Sequence, residues 1–389
     1  MTTAVKVRPI LMLLSGFLGA GKTTTLRSLI RKLHELGKRV AVVTNDQAED
    51  LVDTAIVAAE GVNVSEVAGS CFCCGFTQMI ERIKSLSVSD RPDVILLEPV
   101  GSCTDIRATV IEPLNQLYAD HWQIGPLTVL LDPNRAIEML DDLTKPRYSN
   151  GARHIYQTQV AEADVVVINK VDAFDEAMVT RVHHLIQQTN PSARIMGISN
   201  YTHLGLDKLL DVVLQPHVVG DRNDIEVDYD VYAAGEAEMG WLNTRVSLSR
   251  AEGLDLDWIV IDVLRRTVVR LQHMNIEPAH VKASLGYGEH LSVANVVGVN
   301  LFPQLSRQSG ICAASGTLTL NARAFGAPDA IKAAVVSAVE TACHEAGVRL
   351  EWMALSCFRP DRPVPEHRLR SLRPSGMSGL AKVQEVRAE

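Results

Sequence analysis

The stretch Gly16-Phe17-Leu18-Gly19-Ala20-Gly21-Lys22-Thr23 constrains this chain more than any other. It fits G-x-x-x-x-G-K-[ST] and follows the apolar run at 10–14. It opens a segment in which Leu26, Leu29, Ile30, Leu33 and Leu36 recur at helical spacing before Gly37, a stop signal. A strand, a glycine loop and a helix in that order make a phosphate cradle. Glycines let backbone N–H groups face the anion, and the helix N-terminus adds partial positive charge. Lys22 is placed to reach the β- and γ-phosphates, and the Thr23 hydroxyl is a ligand for Mg²⁺.

The first two hundred residues repeat this alternation. Runs at 10–14, 40–44, 94–98, 127–131, 164–168 and 194–198 are short and rich in Val, Ile and Leu. Such runs suit a parallel sheet buried on both faces. The expected fold is α/β, a doubly wound, mostly parallel sheet over residues 1–220. An acidic stretch at 221–238 reads as a solvated linker. Residues 239–359 give a strand at 241–249, a helix at 256–274, strands at 280–285, 291–299 and 316–325, a helix at 327–346 and a strand at 348–357. With one strand to spare among the weaker candidates at 280–285 and 291–299, the order reads βαββαβ and predicts a smaller ferredoxin-like α+β domain. Residues 360–389, with Arg, Pro and little apolar content, are expected to be a disordered tail.

Composition narrows the function. Apolar residues make up 47% and charged residues 22%, which excludes a mostly disordered chain. Thirty-eight basic against 46 acidic residues leave a net charge of −8, which argues against nucleic acid as a partner. No apolar run approaches the ~20 residues needed to span a bilayer, and the run at 10–14 is short for a secretory signal. The chain holds seven Cys, an odd number, three of them within four positions. That spacing predicts a reducing, cytoplasmic location and a metal or redox role, with no disulfide scaffold.

Three further groups carry chemistry. Glu98 ends the run at 94–98 and faces the ligand edge of a parallel sheet, where it can hold Mg²⁺ through water. Gly101 can offer its N–H to a γ-phosphate, and Asp46, after the second strand, can sense Mg²⁺ or that phosphate. Asn169-Lys170-Val171-Asp172 follows the run at 164–168. The Asp172 carboxylate can accept from the ring N–H and the exocyclic amine of guanine, a donor pair that adenine lacks. Lys170 can lie over the base, Asn169 can tie loops together, and Ser199 can touch the base oxygen. Cys71-Phe72-Cys73-Cys74, flanked by Gly69 and Gly75, offers three thiolates. They form an incomplete tetrahedral set for Zn²⁺ or Co²⁺, with one position left for an outside ligand. A redox thiol pair and inert buried cysteines are the alternatives. Cys103, Cys312, Cys343 and Cys357 read as isolated, small buried residues.

Together these motifs resemble the CobW-like GTPases, relatives of the nickel-insertion GTPases for urease and hydrogenase. Ser15 to Thr24 is similar to their phosphate loop almost letter for letter, and Cys71-Phe72-Cys73-Cys74 matches their C-x-C-C motif. Glu98 to Gly101 falls at their Walker B position, and Asn169 to Asp172 at their guanine motif. The resemblance covers about residues 8–215. It implies GTP held by Gly16, Gly19, Ala20, Gly21, Lys22, Thr23, Thr24, Gly101, Asn169, Lys170, Asp172 and Ser199. It further implies Mg²⁺ at Thr23 and Glu98, catalysis by Lys22, Glu98 and Asp46, and a transition metal, Zn²⁺ or Co²⁺, at Cys71, Cys73 and Cys74. The implied activity is GTP hydrolysis coupled to delivery of a metal or metal cofactor. The implied partners are a client metalloprotein or cofactor-dependent enzyme and a second copy in a nucleotide-dependent dimer, with neither nucleic acid nor membrane. Thr44-Asn45-Asp46-Gln47 departs from the family's Asn-Glu-Phe-Gly, Glu98-Pro99-Val100-Gly101 replaces Glu-Thr-Thr-Gly, and no His-rich stretch is present. A GTP-gated redox switch or chaperone for a corrinoid-type enzyme, or a P-loop small-molecule kinase, would share part of this pattern.

Overall fold

In a computed structural model of the chain, the described residues are 8–46, 52–144, 148–215, 225–297 and 300–371. They divide into two compact units. One comprises residues up to 47, 57–232 and those from 363 on; the other comprises 48–56 and 233–362. In chain order the elements of the first are β1 (Ile10–Ser15), α1 (Lys22–Glu35), β2 (Val40–Asp46), α2 (Val52–Ala58), β3 (Asn63–Ala68), α3 (Phe76–Ser89), β4 (Val94–Glu98), α4 (Glu112–Leu117), β5 (Gln123–Ile124), β6 (Thr128–Leu131), α5 (Pro133–Leu140), α6 (Asn150–Glu162), β7 (Val165–Ile168), α7 (Glu176–Thr189), β8 (Arg194–Gly197), α8 (Leu206–Val213) and α9 (Tyr229–Ala237). The unit division falls within α2 and within α9.

Among the described residues, the strands form one parallel sheet in the order β3-β2-β4-β1-β6-β7-β8, with β5 also beside β1. The doubly wound sheet expected from the apolar runs is therefore present. Its centre is β1, flanked by β4 and β6, so the loop after β1 opens where the winding reverses. Ligands bind such sheets at that point. In α1, Leu26, Leu29, Ile30 and Leu33 are fully buried, each worth roughly 1.5–3 kcal/mol of apolar burial. Lys32 and His34 in its last turn complement the helix dipole, and Gly37 (φ +68°) follows its end. β3 escapes the search for apolar runs because Asn63-Val64-Ser65-Glu66-Val67-Ala68 lies at the sheet edge and buries only Val67.

The second unit contains β9 (Met239–Asp255), α10 (Leu256–His273), β10 (Glu277–Tyr287), β11 (His290–Val297), β12 (Asn300–Arg307), β13 (Cys312–Phe325), α11 (Pro328–Glu345) and β14 (Arg349–Phe358). Its antiparallel sheet runs β12-β11-β10-β13-β9-β14. The four strands β14-β9-β13-β10 and two helices reproduce the ferredoxin-like arrangement. β11 and β12 form a hairpin added at the β10 edge. β12 was not expected, because Pro303 and alternating polar residues disguise it. Residues 52–56 join this unit: Val52 N–H donates to Asn321 Oδ1 at 2.8 Å, Asp53 pairs with Lys282, and Val52 and Ile56 pack on Val293.

Two expectations need correction. Part of the acidic stretch at 221–238 is ordered as α9; Tyr232 is buried, and Tyr229 donates to Asp105 Oδ2 at 2.7 Å. Two aromatic rings gave that segment something to bury. Residues 360–371 also hold defined positions, and 363–371 lie on the first unit. There, side-chain and backbone hydrogen bonds replace the apolar content the segment lacks. Residues 221–224 and 372–389 fall outside the described residues.

Candidate nucleotide and metal site

Gly16, Gly19 and Gly21 have φ of +138°, +82° and +92°, the conformations that curl a phosphate loop. A methyl group on Gly16 would lie 2.4 Å from Leu130 O, and one on Gly21 would lie 2.3 Å from Asn169 Nδ2. Only glycine fits either place. Lys22 is buried, and its ammonium donates to Gly16 O at 2.8 Å across the mouth of the loop. Thr23 Oγ1 donates to Glu98 Oε1 at 2.9 Å, with both side chains buried. A hydroxyl and a carboxylate, both hard oxygens, beside a loop shaped for phosphate are a donor set that fits Mg²⁺. The in-register pairing of β1 with β4, Leu13 opposite Leu97, brings the two motifs together. A methyl on Gly101 would touch Leu18 Cδ2 at 2.8 Å and Lys22 Nζ at 3.1 Å, so this glycine lies against the phosphate loop.

The base motif is tied to the same loop. Asn169 Nδ2 donates to Ala20 O at 2.9 Å. Lys170 has φ +59°, and its ammonium pairs with Asp132 Oδ2 at 2.8 Å. Asp172 is exposed. Thr24, in the first turn of α1, is exposed as well. Ser199 departs from expectation. It is fully buried, its N–H donates to Leu204 O at 3.0 Å, and its hydroxyl oxygen accepts from the N–H groups of Tyr201 and Thr202. It holds the turn. Its neighbour Asn200, passed over in the sequence, donates to Thr25 Oγ1 and Asn169 Oδ1 at 2.8 and 3.1 Å, which braces the base motif against α1. Asp46 closes β2, and its side chain lies outside the described residues.

The sulfurs of Cys71, Cys73 and Cys74 all lie within 4.8 Å of one another. The separations are 2.8 Å for Cys71–Cys73, 3.2 Å for Cys71–Cys74 and 3.7 Å for Cys73–Cys74, and all are free thiols. A tight turn gathers them, with the N–H groups of Cys74 and Gly75 both donating to Cys71 O. Asn45, the residue before Asp46, grips this turn. Its Oδ1 accepts from Phe72 N–H at 2.8 Å, and its Nδ2 donates to Val67 O and Ser70 O. The cluster raises its own thiol pKa values. Hydrogen bonding with Cys103 pushes Cys71 up, hydrogen bonds with Cys103, Cys71 and Cys74 and then burial push Cys73 well up, and the hydrogen bond with Cys71 takes Cys74 to about 12. A metal must therefore displace protons to bind.

Two parts of this pocket were invisible in the sequence. Cys103, expected to be isolated, has its sulfur 3.9 Å from that of Cys73. Residues 363–371 lie along the thiol segment. Val364 N–H donates to Cys74 Sγ at 3.2 Å and Glu366 N–H to Cys73 O at 3.0 Å, while the Glu366 carboxylate accepts from Thr77 at the start of α3. The His367 ring meets Phe76 edge-on, and Arg368 pairs with Asp105 at 2.7 Å. Cys312, also expected to be buried, is exposed, whereas Cys343 is buried.

Residues 10–197 match the family described as CobW/HypB/UreG, nucleotide-binding domain. The chain is 26% identical over 244 residues to the zinc chaperone YjiA of Escherichia coli (strain K12), an alignment covering 56% of this chain and 72% of that protein. It is 23% identical to the zinc-regulated GTPase metalloprotein activator 1 of Dictyostelium discoideum, over 48% of this chain and 45% of that one. It is 30% identical to the zinc chaperone YeiR of Escherichia coli (strain K12), over 41% and 46%. The chain thus spans about half the length of the latter two. Similar solved structures include the hydrogenase maturation factor HypB from Archaeoglobus fulgidus (TM-score 0.38, 18% identity, 53% of this chain and 88% of that one) and the Zn(II)-bound YjiA GTPase from E. coli (TM-score 0.36, 17% identity, 85% and 98%). No helix among the described residues is long and apolar enough to cross a membrane.

Proposed function

We propose that this chain, whose residues 10–197 match the CobW/HypB/UreG nucleotide-binding domain, is a metal-binding GTPase that hydrolyses GTP to GDP and phosphate and hands zinc to a client metalloprotein. One observation carries this reading. Three thiols within 4.8 Å of one another sit in a turn gripped by Asn45, at the same strand end as Asp46, in the unit that holds Lys22, Thr23 and Glu98. Relatives named zinc chaperones support zinc as the cargo.

The glycine loop and Lys22 hold the phosphates, Thr23 and Glu98 hold Mg²⁺, and Asp172 selects guanine. Held there, Mg²⁺ would offset phosphate charge. Gly101, against Lys22, directs its N–H at the γ-phosphate, and Asp46 orients the attacking water. Water adds to the γ-phosphorus, the bond to the β-phosphate oxygen breaks, and inorganic phosphate leaves. Most of such catalysis is positioning, so the isolated chain turns over slowly, and a client or a second copy supplies the missing charge. The thiolates take zinc, releasing protons, and the γ-phosphate state sets how tightly they hold it. By linkage, if the GTP state holds zinc more tightly, zinc must tighten GTP binding by the same factor.

The test is zinc affinity measured with GDP and with a non-hydrolysable GTP analogue. Affinities that differ severalfold are expected; equal values would overturn the coupling. In parallel, Asp172→Asn should shift preference from GTP toward the xanthine nucleotide. Unchanged nucleotide choice would favour a P-loop kinase over a GTPase.

A further inference from the structure

Three thiolates leave one corner of a tetrahedron open, and the surroundings narrow what can fill it. On the Cys74 side the corner is closed by the Val364 N–H, 3.2 Å from that sulfur, and a donor cannot serve as a ligand. On the Cys71–Cys73 side stands another thiol. The sulfur of Cys103 is 3.9 Å from that of Cys73 and hydrogen-bonds with that of Cys71. Cys103 is buried, with 1% exposure.

Resting on the zinc reading above, we infer that Cys103 is the fourth ligand of the cargo site, completing a four-sulfur set from the loop that begins at the γ-phosphate glycine. A zinc–sulfur bond of about 2.3 Å places tetrahedral sulfurs ~3.8 Å apart. Cys73–Cys74 at 3.7 Å and Cys73–Cys103 at 3.9 Å already have that spacing. Cys71 is closer to its neighbours, at 2.8 and 3.2 Å, and opens outward when the metal enters.

The backbone around Cys103 is built to hold a position. Its N–H donates to Val100 O at 3.0 Å. The buried Gln159 amide donates to both Gly101 O and Cys103 O, at 3.0 and 2.8 Å, which makes residues 101–103 one clamped unit. Two residues on, Asp105 has φ +61°, a strained setting for a non-glycine, fixed by Tyr229 and Arg368. The near end of this unit, Gly101, lies against Lys22. The fourth sulfur therefore moves with the peptide that senses the γ-phosphate, while the other three ride on the turn held by Asn45. This gives nucleotide and metal a connection only two residues long.

Extended X-ray absorption at the zinc edge, on the full chain loaded with one equivalent of zinc, counts the sulfurs without any substitution. Four sulfurs in one shell are expected; three sulfurs with a nitrogen or oxygen overturn the inference. Cobalt(II) supplies the second measurement. Thiolate-to-cobalt absorption should fall by about a quarter in Cys103→Ser, from four sulfurs to three. In the unaltered chain that absorption should differ between GDP and the GTP analogue, a difference that Cys103→Ser erases. Unchanged absorption and affinity in Cys103→Ser, with Cys73→Ser still losing the metal, would remove Cys103 and leave the zinc reading standing. No thiolate absorption in the unaltered chain would remove both.

Discussion

The phosphate loop and the thiol pocket lie in one unit and are built in opposite ways. The loop is one continuous stretch, residues 16–24, between a strand and a helix, and its geometry is local: three glycines at positive φ and a helix N-terminus. The pocket is gathered from Asn45, residues 71–75, Cys103 and residues 363–371. A local device resists change through backbone sterics. A gathered one depends on several modest hydrogen bonds, each worth about 1 kcal/mol, and so can be loosened piece by piece.

Breaking the loop should have the largest effect. Gly16→Ala places a methyl group 2.4 Å from Leu130 O at a φ of +138°, which only backbone movement can relieve. GDP affinity should fall at least a hundredfold, about 2.8 kcal/mol, by fluorescent-nucleotide titration, with the second unit's antiparallel sheet unchanged by circular dichroism. A loss under tenfold would mean that the cradle is less rigid than its geometry requires.

Behind the Cys103 loop, Glu162 gives the pocket a pH dependence. Burial raises its pKa from 4.5 to about 8, against the opposing Arg107 N–H hydrogen bond. The folded state therefore binds the proton more tightly than the unfolded chain. Its stabilising contribution is full below pH 4.5 and is lost as pH rises through about 8. Glu162→Gln, which keeps the acceptor for Arg107, should flatten that decline and stabilise the protein above pH 8 by on the order of 2 kcal/mol in urea unfolding. Parallel curves for the two proteins across that range would show that Glu162 is charged in the fold.

Asn45→Ala removes the three hydrogen bonds that tie the thiol turn to the ends of β2 and β3, and it leaves the glycine loop, Lys22 and Thr23 intact. Zinc affinity should drop roughly tenfold, about 1.4 kcal/mol, while GDP affinity changes less than twofold. Equal losses at both sites would merge the two regions. The smallest effect is expected of Glu366→Ala, which strips an exposed cap from α3 at a cost of about 0.5–1 kcal/mol in thermal unfolding.

The same contrast explains what the sequence could disclose. Gly16 to Thr23, Glu98 and Asn169 to Asp172 were legible because each motif adjoins its own strand end, and parallel strands bring their ends to one edge. Cys71, Cys73 and Cys74 were legible as neighbours. Cys103 was not, since nothing in a list of residues says that the segment after β4 returns beside the turn before α3. Ser199 was read as a base contact because it follows β8, yet a hydroxyl at the start of a tight turn is drawn to the turn's own N–H groups. The ferredoxin-like core of the second unit followed from helix and strand periodicity. Its outermost strand did not, because β12 carries a proline and polar residues at an edge.

One consequence concerns synthesis. Val364, which meets the Cys74 sulfur, is 290 residues further along the chain. Ribosomes work from the N-terminus, and early segments fold while later ones are still being made. The phosphate loop can thus be complete while the sulfurs still lack their last covering segment, so metal that arrives during translation meets an open pocket and metal that arrives afterwards meets a finished one.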